Sequence, residues 1–312
     1  MTDITIGVDV SKDTLDICIH PDGDHRQFPN DPKGFKAILR WFGGRPITRL
    51  VFEATGPYHR AFERAMGTAG LPLCKVNPLQ AKRFGEAIGQ LAKTDRMDAA
   101  MLARFGALIE PEVRAAPSII ISELKDLHVA RTALVKDRTA ARNREKNLTS
   151  SLLKRQTRQR LASIEGHLKQ IESAIMALIH SDADLRRKFS ILISIPGIAE
   201  RSAFALLIDM PELGTLEPQQ AAALSGTAPM TRQSGKRMGK ALVSGGRVNV
   251  RQALYMPALV ATRHNPDLKV KYTELTARGK PPKVAITAVM RKLIVLANAL
   301  IRDDREWTPR LA

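Results

Sequence analysis

Between Pro117 and Pro196 the chain has no other proline and a single glycine, Gly166. Those two residue types are the strongest breakers of helices, so a stretch this long without them predicts long helices. Two spacings agree with that reading. Leu127, Leu134, Ala141 and Leu148 recur every seven residues, while Leu161, Ile164, Leu168, Ile171, Ile175 and Leu178 step by three and four, the pattern of a helix seam. The expectation is a helical pair over residues 118–184, either antiparallel within the chain or formed between subunits.

What precedes this stretch has a different period. ITIGVDVSKDTLDICI, from Ile4 to Ile19, reads as two strands around a polar turn, with Ile4, Ile6, Val8 and Val10 on one face and Asp9 on the other. A helix near Pro32 to Phe42, a strand RLVFEA from Arg49, a helix ending near Met66 and a strand LPLCKV from Leu71 follow. This alternation predicts an α/β layer over residues 1–112. Residues 185–312 read as a third, mostly helical unit. Its segment ISIPGIAERSAFALLI places a Pro-Gly turn between two apolar helices. That is either a helix-hairpin-helix whose turn amides meet a phosphate or a simple αα-hairpin in a core.

Charge narrows the partner. Lys and Arg number 49 against 31 Asp and Glu, a net charge of +18, which suits a polyanion. No apolar run reaches the roughly 20 residues that span a bilayer, so nucleic acid is preferred to a membrane. Arg131, Arg138, Arg142, Arg144, Lys146, Lys154 and Arg155 crowd the helical stretch, where they form either a solvated face or a phosphate-binding one. Aromatic residues are scarce there, so base stacking is not the expected mode. The two cysteines, Cys18 and Cys74, form no CxxC pair, and the seven histidines form no metal-binding spacing. A reducing cytoplasm fits, and any catalytic metal falls to carboxylates, which favours magnesium or manganese.

Four acids stand against apolar neighbours: Asp9 in GVDVS, Glu53 in VFEATG, and Asp95 and Asp98 in KTDRMDAAML. Hard oxygen ligands converging from strands and a helix can hold divalent cations that act on phosphodiesters. Singly, each has a plainer reading, Asp95 as a helix cap and Asp9 as a turn cap; as a set they are harder to explain that way. Near the other end, Ser234 precedes Gly235 in a field of Arg232, Lys236, Arg237, Lys240, Arg247 and Arg251. A hydroxyl among cations can attack a phosphodiester, or Ser234 is a turn serine. Ser244 and Tyr255 are rival nucleophiles.

GVDVSKDTLD, FEATGPY, VNP, KTDRMDA, SIPGI and SGKRMGK followed by GGRVNVRQALYMPALVA resemble, in order, the DEDD transposases of the insertion-sequence one-ten family and the related Piv-type invertases. The resemblance implies a RuvC-like N-terminal domain of the ribonuclease H superfamily, a coiled-coil linker and a helical C-terminal transposase domain. It implies that Asp9, Glu53, Asp95 and Asp98 bind magnesium, with manganese as a substitute, and that Ser234 becomes covalently joined to DNA in a site composed from two subunits. Implied partners are donor and target DNA, a structured non-coding bridge RNA, and further copies of the chain, as a dimer assembling to a tetramer. A RuvC-like nuclease that uses water would need the four acids without Ser234. A silent scaffold would need neither. Thr227 in GTAP stands where relatives commonly have leucine.

Overall fold

The computed structural model describes residues 3–309 except 55, 91–93, 117, 232, 235–236 and 240, and of residues 233, 234, 237 and 238 the backbone alone. The chain divides into two compact units, Met1–Ser118 and Ile119–Ala312.

In the first unit, β1 (Ile4–Val10), β2 (Thr14–His20) and β3 (His25–Pro29) form an antiparallel meander. Helix α1 (Pro32–Phe42) leads to β4 (Ile47–Glu53), α2 (His59–Thr68) to β5 (Leu73–Val76), and α3 (Pro78–Ala87) to α4 (Asp95–Ile109). The sheet order is β3-β2-β1-β4-β5, with β4 and β5 parallel to β1. Strand alternation sorts the side chains into two layers. Ile6, Val8, Val10, Leu15, Ile17, Ile19, Leu50 and Phe52 bury one face beneath Phe35, Ile38 and Phe42 of α1 and Phe62 and Met66 of α2. Val51, Cys74 and Val76 face the other way, against Met101, Leu102 and Phe105 of α4.

Glycine lets α4 approach the sheet closely. A Cβ on Gly7 would collide with the Ala99 carbonyl oxygen and the Ala103 nitrogen, and one on Gly106 would lie 2.5 Å from methyl carbons of both Thr5 and Val51. With Gly106 against Thr5 and Ala99 against Gly7, α4 runs opposite to β1. Its first turn therefore lies toward Asp9.

The second unit begins with α5 (Ile119–Glu145) and α6 (Ser151–Ser181). Their ion pairs fix the register. Arg131 meets Glu172, Arg138 meets Glu165, and Glu145 meets Arg158. Each pair lies seven residues further along α5 and seven back along α6, so the heptad spacing belongs to an antiparallel hairpin within one chain. The seam does not need a second subunit. The hairpin also shares its core with the helices that follow, since Leu124, Ile175 and Ile179 pack with α7 (Ala183–Ser194), α8 (Glu200–Asp209) and the C-terminal helices.

After α9 (Pro218–Leu224), a β arm projects: β6 (Pro229–Met230) pairs with β9 (Leu242–Val243), and β7 (Gln233–Ser234) with β8 (Arg237–Met238). Helices α10 (Val248–His264), α11 (Pro266–Ala277) and α12 (Pro282–Arg302) complete the unit. The Pro-Gly turn between α7 and α8 lies against α10, for a Cβ on Gly197 would be 2.7 Å from the Pro257 carbonyl oxygen. Ile195 and Ile198 on either side are buried, which anchors this turn in the core. By length and mean composition α12 is apolar enough to cross a membrane, with a hydropathy of 1.9, although Arg291 and Lys292 interrupt its apolar run. Its Val289, Leu293, Ile294 and Leu300 are fully buried in this core, which accounts for its apolarity.

Substituting Gly7→Ala should destabilise the protein by about 1–3 kcal/mol, since the methyl meets helix backbone instead of a yielding side chain. The denaturant midpoint reads this directly. An unchanged midpoint would contradict the close approach of α4.

Candidate active site

The four acids of the sequence reading come from three elements at one end of the first unit. Asp9 is the penultimate residue of β1, on the same face as Gly7. Val8 pairs with Phe52 in the parallel ladder, so Glu53 ends β4 level with Asp9, and two residues beyond Val51 it faces α4. Asp95 and Asp98 occupy the first turn of α4, whose cap is Thr94, its hydroxyl accepting from the Met97 amide at 3.3 Å.

The capping explanations are thereby reassigned to neighbours. Thr94 caps the helix in place of Asp95. Ser11 makes the β1–β2 turn in place of Asp9, its hydroxyl lying 2.8 Å from the Thr14 hydroxyl and accepting from the Thr14 amide at 3.0 Å.

Electrostatics records the convergence. The Asp9 carboxyl is pushed up to about 6, first by burial and then by the negative charges of Asp98, Asp95, Asp16 and Glu53. Asp16 was not singled out by the sequence. It pairs directly with Asp9 across the β1–β2 ladder, and directly opposed residues share a face. Its carboxylate is buried, accepting from Gln27 Nε2 at 2.9 Å and lying 3.1 Å from His25 Nε2. The signal lay in the strand alternation, which puts Asp9 and Asp16 on one face of a hairpin.

Grouped carboxylates of this kind fit a hard divalent cation, whose charge would offset both the burial of Asp9 and the repulsion from its neighbours. Among the described residues no three His, Cys, Asp or Glu side chains already stand at metal-holding spacing. Thiols do not compete as nucleophiles: Cys18 and Cys74 are buried and free, and burial raises both, Cys74 to about 11.

The second unit holds the other candidates. The Ser234 backbone pairs with Arg237 in the tip of the β arm. Arg232, Lys236 and Lys240 lie outside the described residues, as do the side chains of Ser234 and Arg237. Ser244 is exposed in the return from the arm, and Tyr255 is 43% exposed on α10, not in the core.

Several arginines expected at phosphates are engaged inside the protein. Arg131 donates to Glu172 at 2.9 Å and its guanidinium lies 5.3 Å from the Phe204 ring centroid. Arg138 and Arg142 share Glu165. Arg247 reaches both oxygens of Glu212, at 2.7 and 2.6 Å, and Arg251 contacts two backbone carbonyls. Arg144, Lys146 and Arg155 remain exposed around the α5–α6 turn, with Lys154 half-buried.

Asp9 also predicts a pH dependence. A carboxyl raised from 3.8 to about 6 in the folded protein binds more protons folded than unfolded between those values. Metal-free stability should therefore fall as pH rises from about 4 to about 6. Asp9→Asn should be more stable than the parent above pH 6, by no more than about 1–2 kcal/mol once solvent screening is discounted, with the difference gone near pH 4. Thermal melts in chelator across this range measure it; a difference that grows toward low pH would contradict the assignment.

A family model described as a transposase matches residues 6–156, and one described as the transposase IS116/IS110/IS902 family matches residues 189–273. A pilin gene-inverting protein of Moraxella bovis is 28% identical over all of this chain and 99% of its own length, and that of Moraxella lacunata is equally similar. An uncharacterised 43.6 kDa protein of insertion element IS110 from Streptomyces coelicolor is 27% identical over 48% of this chain and 37% of its own. Carboxylates converging on Asp9, a separate basic helical unit and matches to both units agree: the chain is a DNA transposase or recombinase and belongs to the IS110 family of transposases.

Proposed function

We propose that this enzyme cuts and rejoins DNA through a covalent phosphoserine, with Asp9, Glu53, Asp95 and Asp98 holding magnesium and Ser234 as nucleophile. The observation that supports the metal reading is the placement of four carboxylates from β1, β4 and the first turn of α4 around Asp9, whose own carboxyl is raised to about 6 first by burial and then by their charges. The sheet order β3-β2-β1-β4-β5, with an antiparallel meander and two parallel strands, supports a RuvC-like domain of the ribonuclease H superfamily.

In this reading the Ser234 hydroxyl attacks a phosphodiester phosphorus. A bond from Oγ to phosphorus forms, the bond to one deoxyribose oxygen breaks, and the serine proton ends on the departing hydroxyl. The ester keeps the energy of the broken linkage, so a second DNA hydroxyl can attack it and restore the serine without ATP. A bound magnesium would neutralise charge on the phosphoryl oxygens.

The charge is divided between the units in a way that supports nucleic-acid binding by the second. Residues 1–118 carry 16 Lys and Arg against 14 Asp and Glu, while residues 119–312 carry 33 against 17. Donor and target DNA and a structured guide RNA are the proposed partners. Base pairing by the RNA would read sequence while protein contacts read backbone. Exchange of two duplexes needs several strand cuts, which a dimer assembling into a tetramer on nucleic acid would supply. With the heptad seam closed inside the chain, that assembly rests on this chemistry.

Incubating the protein with magnesium, the non-coding RNA flanking its gene and matched donor and target DNA should give a protein-DNA adduct on a denaturing gel, absent from Ser234→Ala and Asp9→Ala. Cleavage persisting in Ser234→Ala with no adduct would replace this mechanism with hydrolysis by water.

A further inference from the structure

The β arm that carries Ser234 is built from two ladders of two residues per strand. So short a ribbon is marginal on its own in water, so its direction must be set at its base. There the outgoing and returning chains cross at two glycines, Gly226 and Gly246, with φ of 65° and 64°. A Cβ on Gly246 would collide with the Gly226 backbone and lie 2.6 Å from the Ala223 carbonyl oxygen, so no side chain fits between the crossing strands. Arg251, in the first turn of α10, spans the crossing: its Nη1 donates to the Gly245 carbonyl at 2.9 Å and to the Gly226 carbonyl at 3.3 Å.

Arg247 fixes the same base to the core. Its amide donates to the Leu224 carbonyl at 2.7 Å, and its guanidinium holds Glu212 through both carboxylate oxygens and the Asp209 carbonyl at 2.8 Å. On the outgoing side, Thr227 is buried, with its hydroxyl 2.9 Å from that of Ser225 and donating to the Ala222 carbonyl at 3.3 Å. Each strand of the arm is thus tied down within a few residues of the crossing.

We infer that Arg251 and Arg247 are positioning residues that clasp the base of the Ser234 arm and set where its tip points, in place of the phosphate contacts that their charge suggests. This rests on the reading of Ser234 as nucleophile. A nucleophile must approach its target atom within about 3–3.5 Å, and a misplacement of about 1 Å can cost on the order of 10²-fold in rate. A clasp at the root of a short ribbon controls such a displacement without touching DNA.

The test compares Arg251→Ala, the charge-retaining Arg251→Lys, and Gly246→Ala, which attacks the crossing without altering charge. For each, the rate constant of adduct formation is measured at saturating RNA and DNA, with the salt dependence of nucleic-acid affinity and backbone hydrogen exchange along the chain. The clasp predicts a rate lowered by on the order of 10²-fold in all three, an unchanged salt slope, and faster exchange confined to residues 227–245. A salt slope lowered by about 0.9 in Arg251→Ala, with the rate restored in Arg251→Lys, would make Arg251 a phosphate contact and overturn the inference. Accelerated exchange across α10 and α12 would reduce it to a general stabilising role and also overturn it. If the parent protein forms no Ser234-dependent adduct, the nucleophile reading fails, while exchange in the arm still decides the clasp.

Discussion

The absence of a side chain at Gly7 lets the backbone of α4 lie directly on β1, where any Cβ would meet the Ala99 carbonyl and the Ala103 amide. That contact fixes the distance and direction of the helix, and its direction brings Asp95 and Asp98 toward the end of β1 that carries Asp9. The same approach keeps Val51, Cys74 and Val76 dry beneath Met101, Leu102 and Phe105. Close helix-sheet contact and carboxylate crowding are therefore one feature seen at two places along α4. Burial raises the Asp9 carboxyl, the charges of Asp98, Asp95, Asp16 and Glu53 add to that, and the apolar layers of the sheet hold the arrangement in place.

The second unit manages charge in the opposite sense. It carries nearly all of the excess of Lys and Arg, yet some of the most sheltered arginines neutralise acids of the same unit. Glu172 illustrates the balance. Burial alone would raise its carboxyl, but hydrogen bonds from Arg201 and Arg131 outweigh burial and hold it below its ordinary range. Such pairs brace α6 against α5 and α8, while the cations around the hairpin turn stay exposed. Counting basic residues along the chain overstates the number available to nucleic acid.

Most of the layered α/β order was legible because its strands alternate and its helices are punctuated by residues such as Pro32 and Gly43. β3 was not, since its HRQFP segment forms an edge strand whose side chains are largely exposed and lack alternation. The heptads announced long helices, but only the pairing of Arg131 with Glu172 and Arg138 with Glu165 distinguishes an intrachain hairpin from an intersubunit one. Those partners lie 41 and 27 residues apart, beyond any local pattern. Asp9, Glu53, Asp95 and Asp98 stood out as acids among apolar residues, whereas Asp16 needed the β1–β2 register. The engagement of Arg247 and Arg251 was hidden for the same reason as that of Arg131: their partners come from other elements or from backbone carbonyls.

Manganese binding to the protein tests, without requiring turnover, the proposal that the carboxylates around Asp9 bind a divalent cation. Titration followed by the loss of the free manganese resonance should show saturable binding competed by magnesium and strongly weakened in both Asp9→Asn and Asp98→Asn, with the fold retained in each. Binding of equal strength in the parent and both variants would contradict the account, and the convergence on Asp9 would then have no cation to serve.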